Sequence, residues 1–319
     1  MTDTPGPAPD PVPGPGAVLV MGEALIDLVP AAGGAQAHLA QPGGAPANVA
    51  TGLARLSTPS WFAGALGSDG FARSIERRLR SAGVELGLCA RPDLPTALAV
   101  ADPGPEGTGY HFHLQRTATF QLPHRTDVER FAAVYVGGLA AVVEPAASAV
   151  AATARAAAAG RPLLVVDPNV REDRTLDTHS GRRQLRELCE LGQVVKASDE
   201  DLARLWPDST PDETCRRLAA GGRLVVLTRG SRGSTAYSED SAEPVSVPAV
   251  PVEVVNTIGA GDAFMAAVLT WLVTRGVHTG HLPEFTPTPL RDMLDFASRV
   301  AASVVAQAGT EPSLPAARL

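Results

Sequence analysis

The sequence predicts an α/β fold: a doubly wound, mostly parallel sheet with helices on both faces, and a small β-lid. Two observations carry this. Short apolar runs rich in Val and Leu alternate with longer amphipathic or Ala-rich segments; strand and helix in alternation imply parallel strands covered on both sides, with ligands bound beyond their carboxyl ends. Residues 25–41 and 94–122 break that rhythm with turns, polar residues and the aromatics Tyr110, Phe112 and Phe120. These two stretches fit a small β-structure over the sheet edge or, read alone, two ordinary hairpins.

The elements follow in order. Residues 1–16 carry proline at every second position from Pro5 to Pro15, which forbids ladder and helix and predicts an extended tail. One folded domain then runs over 17–319. Strands are expected at 18–21, 61–65, 97–101, 134–137, 163–166, 194–196 and 224–228. Helices are expected at 47–56, 70–81, 145–159, 182–191, 200–206 and 212–219. The valine-rich run 247–255 reads as an edge or incoming strand. After it, 263–273 is almost wholly apolar and helical, with Gly276 as a stop behind Arg275. Residues 298–309 are expected inside or just after the last helix.

Composition limits the function. The 319-residue chain is 45% hydrophobic and 19% charged, ample for a sizeable core, and its formal net charge of -7 argues against a nucleic-acid surface. Lys196 is its only lysine. Cys89, Cys189 and Cys215 are too scattered for a disulfide framework or a zinc site. No apolar stretch reaches the roughly 20 residues of a membrane span, and no secretory signal opens the chain. The expectation is a soluble cytoplasmic protein without nucleic-acid or membrane partners.

The most informative stretch is Thr257-Ile258-Gly259-Ala260-Gly261-Asp262. Its small residues leave successive amides uncovered where a helix dipole is positive, which makes a seat for anionic oxygen. A carboxylate beside such a seat suits phosphoryl transfer, with the amides stabilising the migrating group and Asp262 taking the proton of an attacking hydroxyl. The plainer reading of Asp262 is a helix N-cap.

Other segments offer polar groups at strand ends. Gly22 to Asp27 ends in a carboxylate, which can accept two sugar hydroxyls or serve a turn. Pro42-Gly43-Gly44-Ala45-Pro46-Ala47-Asn48 combines glycines that admit close backbone approach with Asn48 in the first turn of a helix; alone it reads as a tight turn. Gly64 to Phe71 reads as structural, with Asp69 a helix cap. Asp167-Pro168-Asn169-Val170-Arg171 ends a buried strand in a polar cluster. Arg171 suits a transferred phosphate or a substrate carboxylate, or is a surface arginine. Lys196-Ala197-Ser198-Asp199-Glu200-Asp201 contains a capping-box pattern. Leu227 to Gly233 holds a Gly-x-x-Gly turn typical of hairpins.

These segments, in this order, resemble the ribokinase-like (PfkB) family of sugar and nucleoside kinases. The resemblance implies a ribokinase-like fold whose lid covers the sugar, ATP and Mg2+ as cofactors, Asp262 as catalytic base and Gly259, Ala260 and Gly261 as the anion hole. It assigns Asp27, Gly43, Gly44 and Asn48 to the sugar, and Asn169 and Arg171 to the region between sugar and γ-phosphate. Lys196, Ser198, Thr228, Gly230 and Gly233 fall on the nucleotide side, and 298–309 completes the adenine pocket. Asp201 stands where the family has a glutamate that orders magnesium through water, with Glu200 as competing candidate. Asn256 replaces the usual aspartate at a position associated with monovalent cations, which leaves potassium activation open. Lid strands often mediate dimers in this family.

The forms Gly-Glu-Ala-Leu-Ile-Asp, Gly-Gly-Ala-Pro-Ala-Asn and Asp-Pro-Asn-x-Arg are most similar to fructokinases. A 2-keto-3-deoxygluconate kinase would need cations facing its substrate's carboxylate; Arg171 qualifies and Arg116 is a candidate. Nucleoside kinase activity is a further alternative. So is a sugar-sensing pseudo-kinase that keeps the fold without turnover.

Overall fold

The computed structural model describes residues 12–31, 37–104, 107–171, 173, 176, 178–277 and 285–307. Most of the Pro-rich tail, residues 32–36 and 105–106 of the two lid stretches, and 308–319, including the end of the expected adenine-pocket segment, lie outside the described residues.

The chain opens with β1 (Val18–Met21), β2 (Leu25–Pro30), β3 (His38–Gly43), α1 (Ala45–Arg55), β4 (Ser60–Ala63) and α2 (Gly70–Ala82). Next come β5 (Leu98–Gly104), β6 (Gly107–His113), β7 (Ala133–Gly137), α3 (Ala146–Ala159), β8 (Leu163–Asp167) and α4 (His179–Leu191). The rest comprises β9 (Val194–Ser198), α5 (Asp199–Leu205), α6 (Pro211–Ala219), β10 (Leu224–Thr228), β11 (Ser234–Tyr237), β12 (Val245–Val247), α7 (Ala260–Thr274) and α8 (Pro287–Val305).

Eight strands form one sheet in the order β12-β11-β10-β9-β8-β7-β1-β4. Pairing is parallel from β4 to β10 and antiparallel only at β11 and β12. Side chains alternate between its faces, and each face buries its own core. Val18, Val20, Phe62, Tyr135, Val165 and Val226 pack with α1, α2, α7 and α8. Leu19, Met21, Val134, Val136, Leu164 and Val225 pack with residues of α3 to α6. Helix α7 is buried from Asp262 to Val273, which is why its sequence is apolar all round.

The two stretches that break the rhythm join in a single four-stranded sheet, β3-β2-β5-β6, whose central pair β2 and β5 is parallel. The run 97–101, expected in alternation with helices, therefore belongs to this lid. The expectation for 247–255 needs correction as well. The strand is β12, Val245–Val247, and the chain from Pro248 to Thr257 follows no ladder, because Pro248 and Pro251 have no N–H to donate. Asp69 does cap α2, accepting the Ala72 N–H at 2.7 Å. Among the described residues no helix is long and apolar enough to cross a membrane.

Candidate active site

The carboxyl ends of β1, β7, β8 and β9 open toward the N-terminus of α7, and the lid stands over the same edge. Helix α7 starts from Gly259 in the left-handed region, φ 80°, with no side-chain cap. Its first intrahelical bond is Ala263 N–H to Gly259 O at 2.9 Å. The Ala260 N–H turns back to Thr257 O at 3.3 Å, leaving the Gly261 and Asp262 amides at the positive end of the helix without an intrahelical acceptor. Asp262 is only 6% exposed and does not act as a cap. Its Oδ2 accepts the Asn48 Nδ2–H at 2.8 Å.

Asn48 reaches this point because α1 begins abruptly. Gly44 has φ 98°, and a Cβ there would sit 2.7 Å from the Glu23 carbonyl, so the turn that starts α1 in contact with the end of β1 requires glycine. The Asn48 Oδ1 in turn accepts two N–H groups of Arg78, at 3.0 and 3.1 Å.

A crevice of about 820 Å³ lies between lid and sheet, lined by Glu23, Asp27, Gly44, Asn48, Asn169, Arg171, Glu200, Gly259, Gly261 and Asp262, with Tyr110 and Phe112 from the lid. Asp27 faces it from β2. Gly43, its neighbour on β3, does not line the crevice; a Cβ there would fall 1.9 Å from Asp27 Oδ2, so its part is to leave room for that carboxylate. Glu23 is buried with its oxygens held by the Leu139 and Ala140 amides at 3.2 and 3.0 Å. Asn169 sits at φ 43° with a buried Oδ1 that has no hydrogen-bond partner.

Burial dominates the electrostatics. It pushes Glu23 up to about 7. It pushes Asp27 up to about 6, with Arg171 pulling the other way and Asp262 adding to the rise. Asp262 is raised by burial too, opposed by the Asn48 hydrogen bond and by Arg171, Lys196 and Arg78. Asp262 is thus a base of increased proton affinity, set among cations that favour its charged form.

A second cavity of about 540 Å³ adjoins the first, lined by Thr228, Gly230, Gly233, Ala260, Phe264, Ser298 and Val305 and by Val250, Val252 and Val254 from the irregular segment. Its largely aliphatic walls suit a planar base. Thr257 and Gly261 line both cavities, so the two meet at the Gly-Ala-Gly-Asp turn.

Lys196, Ser198 and Asp201 line neither cavity. Lys196 is buried on β9, pairs with Asp167 at 3.0 Å, and points toward the turn: a Cβ on Gly261 would lie 3.3 Å from its Nζ. Burial works against its charge, but Asp167 and Asp201 outweigh that and raise its pKa. Ser198 and Asp201 form the capping box of α5. The Asp201 oxygens take the Ser198 and Val170 amides, each at 2.8 Å, tying the end of β8 to the start of α5. Glu200 is exposed at the crevice. Among the described residues no group of three or more His, Cys, Asp or Glu is placed to hold a metal ion. A magnesium ion carried by nucleotide phosphates and water needs no such cage; Glu200 lines the crevice and fits its hydration shell, whereas Asp167 is buried and lines neither cavity. The Asn256 Oδ1 accepts the Ile258 N–H at 3.0 Å, shaping the loop that leads into α7.

Sequence reasoning missed Arg78 and the inward position of Glu23. Glu23 had a local signal, its place directly after the first strand; Arg78, in an arginine-rich helix, had none.

Three comparisons bear on this geometry. Residues 16–317 match the pfkB family carbohydrate kinase. Fructokinase-1 of Oryza sativa subsp. japonica is 32% identical over 317 residues, covering 93% of this chain and 94% of the rice protein. The fructokinase of Vibrio cholerae O395, solved in a fructose, ADP and calcium ion bound form, superposes with a TM-score of 0.80 at 28% identity, over 94% of this chain and 96% of that one. The ATP-bound fructokinase of Xylella fastidiosa gives 0.83 at 26% identity, over 93% and 95%.

Proposed function

The chain belongs to the pfkB family of carbohydrate kinases, and on that premise we propose that it transfers the γ-phosphate of Mg·ATP to a hydroxyl of a neutral sugar, fructose foremost. The observation that carries the reading is the meeting of two cavities at Gly259 to Asp262, with the buried carboxylate of Asp262 on the side of the larger one. The sugar lies in the larger crevice, its hydroxyls held by Asp27 and Asn48. ATP lies in the smaller one, against Thr228, Gly230 and Gly233.

The acceptor hydroxyl gives its proton to Asp262 as its oxygen attacks the γ-phosphorus, and the bond from that phosphorus to the β,γ-bridging oxygen breaks, so that ADP leaves. The Gly261 and Asp262 amides stabilise the equatorial oxygens, and Lys196 and Arg171 supply positive charge from either side. Positioning and electrostatics provide the rate, as expected for phosphoryl transfer. Magnesium on the nucleotide would offset phosphate charge, with Glu200 at the crevice as the carboxylate available to its waters. A potassium requirement is not part of the proposal, since Asn256 uses its side-chain oxygen on Ile258.

Charge favours the neutral substrate. Among the described residues, Glu23, Asp27, Glu200 and Asp262 line the sugar crevice against the single cation Arg171, an environment that penalises the carboxylate of ketodeoxygluconate; Arg116 does not line it. The rice and Vibrio cholerae fructokinases agree in substrate. We extend the reading to a homodimer through the lid, whose edge strand β3 leaves Leu39 54% exposed.

ADP release measured over fructose, ketodeoxygluconate, ribose and nucleosides tests the proposal. Fructose should be preferred. Preference for the acid or a nucleoside would replace the substrate, and no release with any acceptor would favour a sugar sensor.

A further inference from the structure

We propose that Arg78 of α2 is a positioning residue for the transfer: it fixes the orientation of the Asn48 amide and thereby the side of Asp262 that receives the substrate proton. This rests on Asp262 being the base. An amide side chain presents an acceptor on one end and donors on the other. Two Arg78 N–H groups converge on the Asn48 Oδ1, at 3.0 and 3.1 Å. Turning the amide over would set donors against donors, so the Asn48 N–H is committed to Asp262 Oδ2 at 2.8 Å. With Oδ2 engaged, Oδ1 is the oxygen left for an incoming hydroxyl.

The same guanidinium donates to the Pro42 carbonyl at 2.8 Å. Pro42 belongs to β3 of the lid, one residue before the Gly43 that leaves room for Asp27. Arg78 therefore ties the edge that sets the sugar-holding carboxylate to the amide that sets the base, with the fork geometry that a lysine cannot reproduce. Its neighbours Arg73, Arg77 and Arg80 on α2 are exposed, whereas Arg78 is half-buried against α1.

Its charge acts alongside others. Asp262 is faced by Arg171 after β8, Lys196 on β9, Asp27 on β2, Asp167 on β8 and Tyr135 on β7. Arg78 is one of three cations that favour the ionised base, and it alone also holds a hydrogen-bond partner of that base.

The test compares Arg78→Met and Arg78→Lys with the wild type by two readouts: 13C titration of the Asp262 carboxyl without ligands, and steady-state kinetics with fructose and ATP across the acid limb. In Arg78→Met the titration midpoint should rise by roughly half to one pH unit, short of the ~1–3 units of a charge in direct contact. The acid limb of kcat/KM should move with it, and kcat should fall about 10- to 100-fold, the scale of a misplaced reacting group, with the ATP KM unchanged. Arg78→Lys should keep the midpoint and recover only part of kcat. An unchanged midpoint and kcat in Arg78→Met would overturn the proposal, as would a loss of kcat explained by a lower melting temperature with the midpoint unmoved. If Arg78→Met does not fold, wild-type kcat in Arg78→Lys overturns it. Should the wild type phosphorylate no sugar, the role of Asp262 as base fails, while the titration still decides whether Arg78 governs that carboxyl.

Discussion

Asn48 on α1 donates its amide N–H to Asp262 on α7 across 2.8 Å, although 214 residues separate them in the chain. The bond joins the glycine-rich segment that opens α1 to the one that opens α7. Asn48→Leu removes a hydrogen bond to a buried charge, worth roughly 1.5–3 kcal/mol. Because that bond opposes the rise that burial imposes on Asp262, its loss should raise the carboxyl further. The acid limb of kcat/KM should then shift to higher pH, with activity at neutral pH falling at least about 10-fold. A profile superimposable on the wild type would contradict the pairing.

Gly43 and Asp27 make a second checkable pair. A methyl group on Gly43 would overlap Asp27 Oδ2, at 1.9 Å, and the carboxylate must move to admit it. Gly43→Ala should therefore raise the fructose KM by about 10-fold or more, as expected when a positioning group is displaced, and leave the ATP KM alone. Equal effects on both substrates would show a general distortion instead.

The ligand-free protein should lose stability as pH rises from about 5 to about 7. Glu23, Asp27 and Asp167 are carboxyls raised by burial to about 7, 6 and 6, well above their unfolded values. In that window the native chain binds more protons than the unfolded chain. The proton difference between unfolded and native states is then negative, and stability falls with rising pH. The lowered carboxyls Asp69, Glu76, Asp127, Asp212 and Glu213 exert their pull mainly below this range. Melting temperatures across the window measure the slope, and Glu23→Gln, which keeps an acceptor for one of the Leu139 and Ala140 amides and removes the titrating group, should flatten it. A melting temperature that climbs with pH would contradict the assignment.

At the second cavity, Gly233 has φ 86°, and a Cβ would meet the Val247 carbonyl at 2.2 Å. Gly233→Ala should destabilise the protein by more than about 1 kcal/mol and raise the ATP KM more than the fructose KM. Urea midpoints and KM values check this together.

What was legible in the chain followed from local chemistry. The parallel sheet strands announced themselves because each is an apolar run, whereas β11 and β12 were not read, and Asp262 stood out because Gly-Ala-Gly-Asp has few structural uses at a helix start. The four-stranded lid was legible only as an interruption, since its central β2 and β5 pair in parallel across some 70 residues. The valine run 247–255 misled because β-branched residues favour extension, whereas the prolines decide whether an extended segment can enter a ladder. Arg78 was illegible: nothing in Glu76-Arg77-Arg78-Leu79-Arg80 distinguishes the arginine that turns inward, and only the packing of α2 on α1 does so.

The central claim is that Asp262 accepts the proton of a sugar hydroxyl while the adjoining amides hold the phosphoryl group. Asp262→Asn tests it most directly, because the substitution keeps the shape and an acceptor for Asn48 but removes the basic oxygen. Measured beside the wild type, the variant should bind fructose with similar affinity by calorimetry and turn over roughly 10²- to 10⁴-fold more slowly, the scale of a lost general base. Wild-type turnover in that variant would contradict the account.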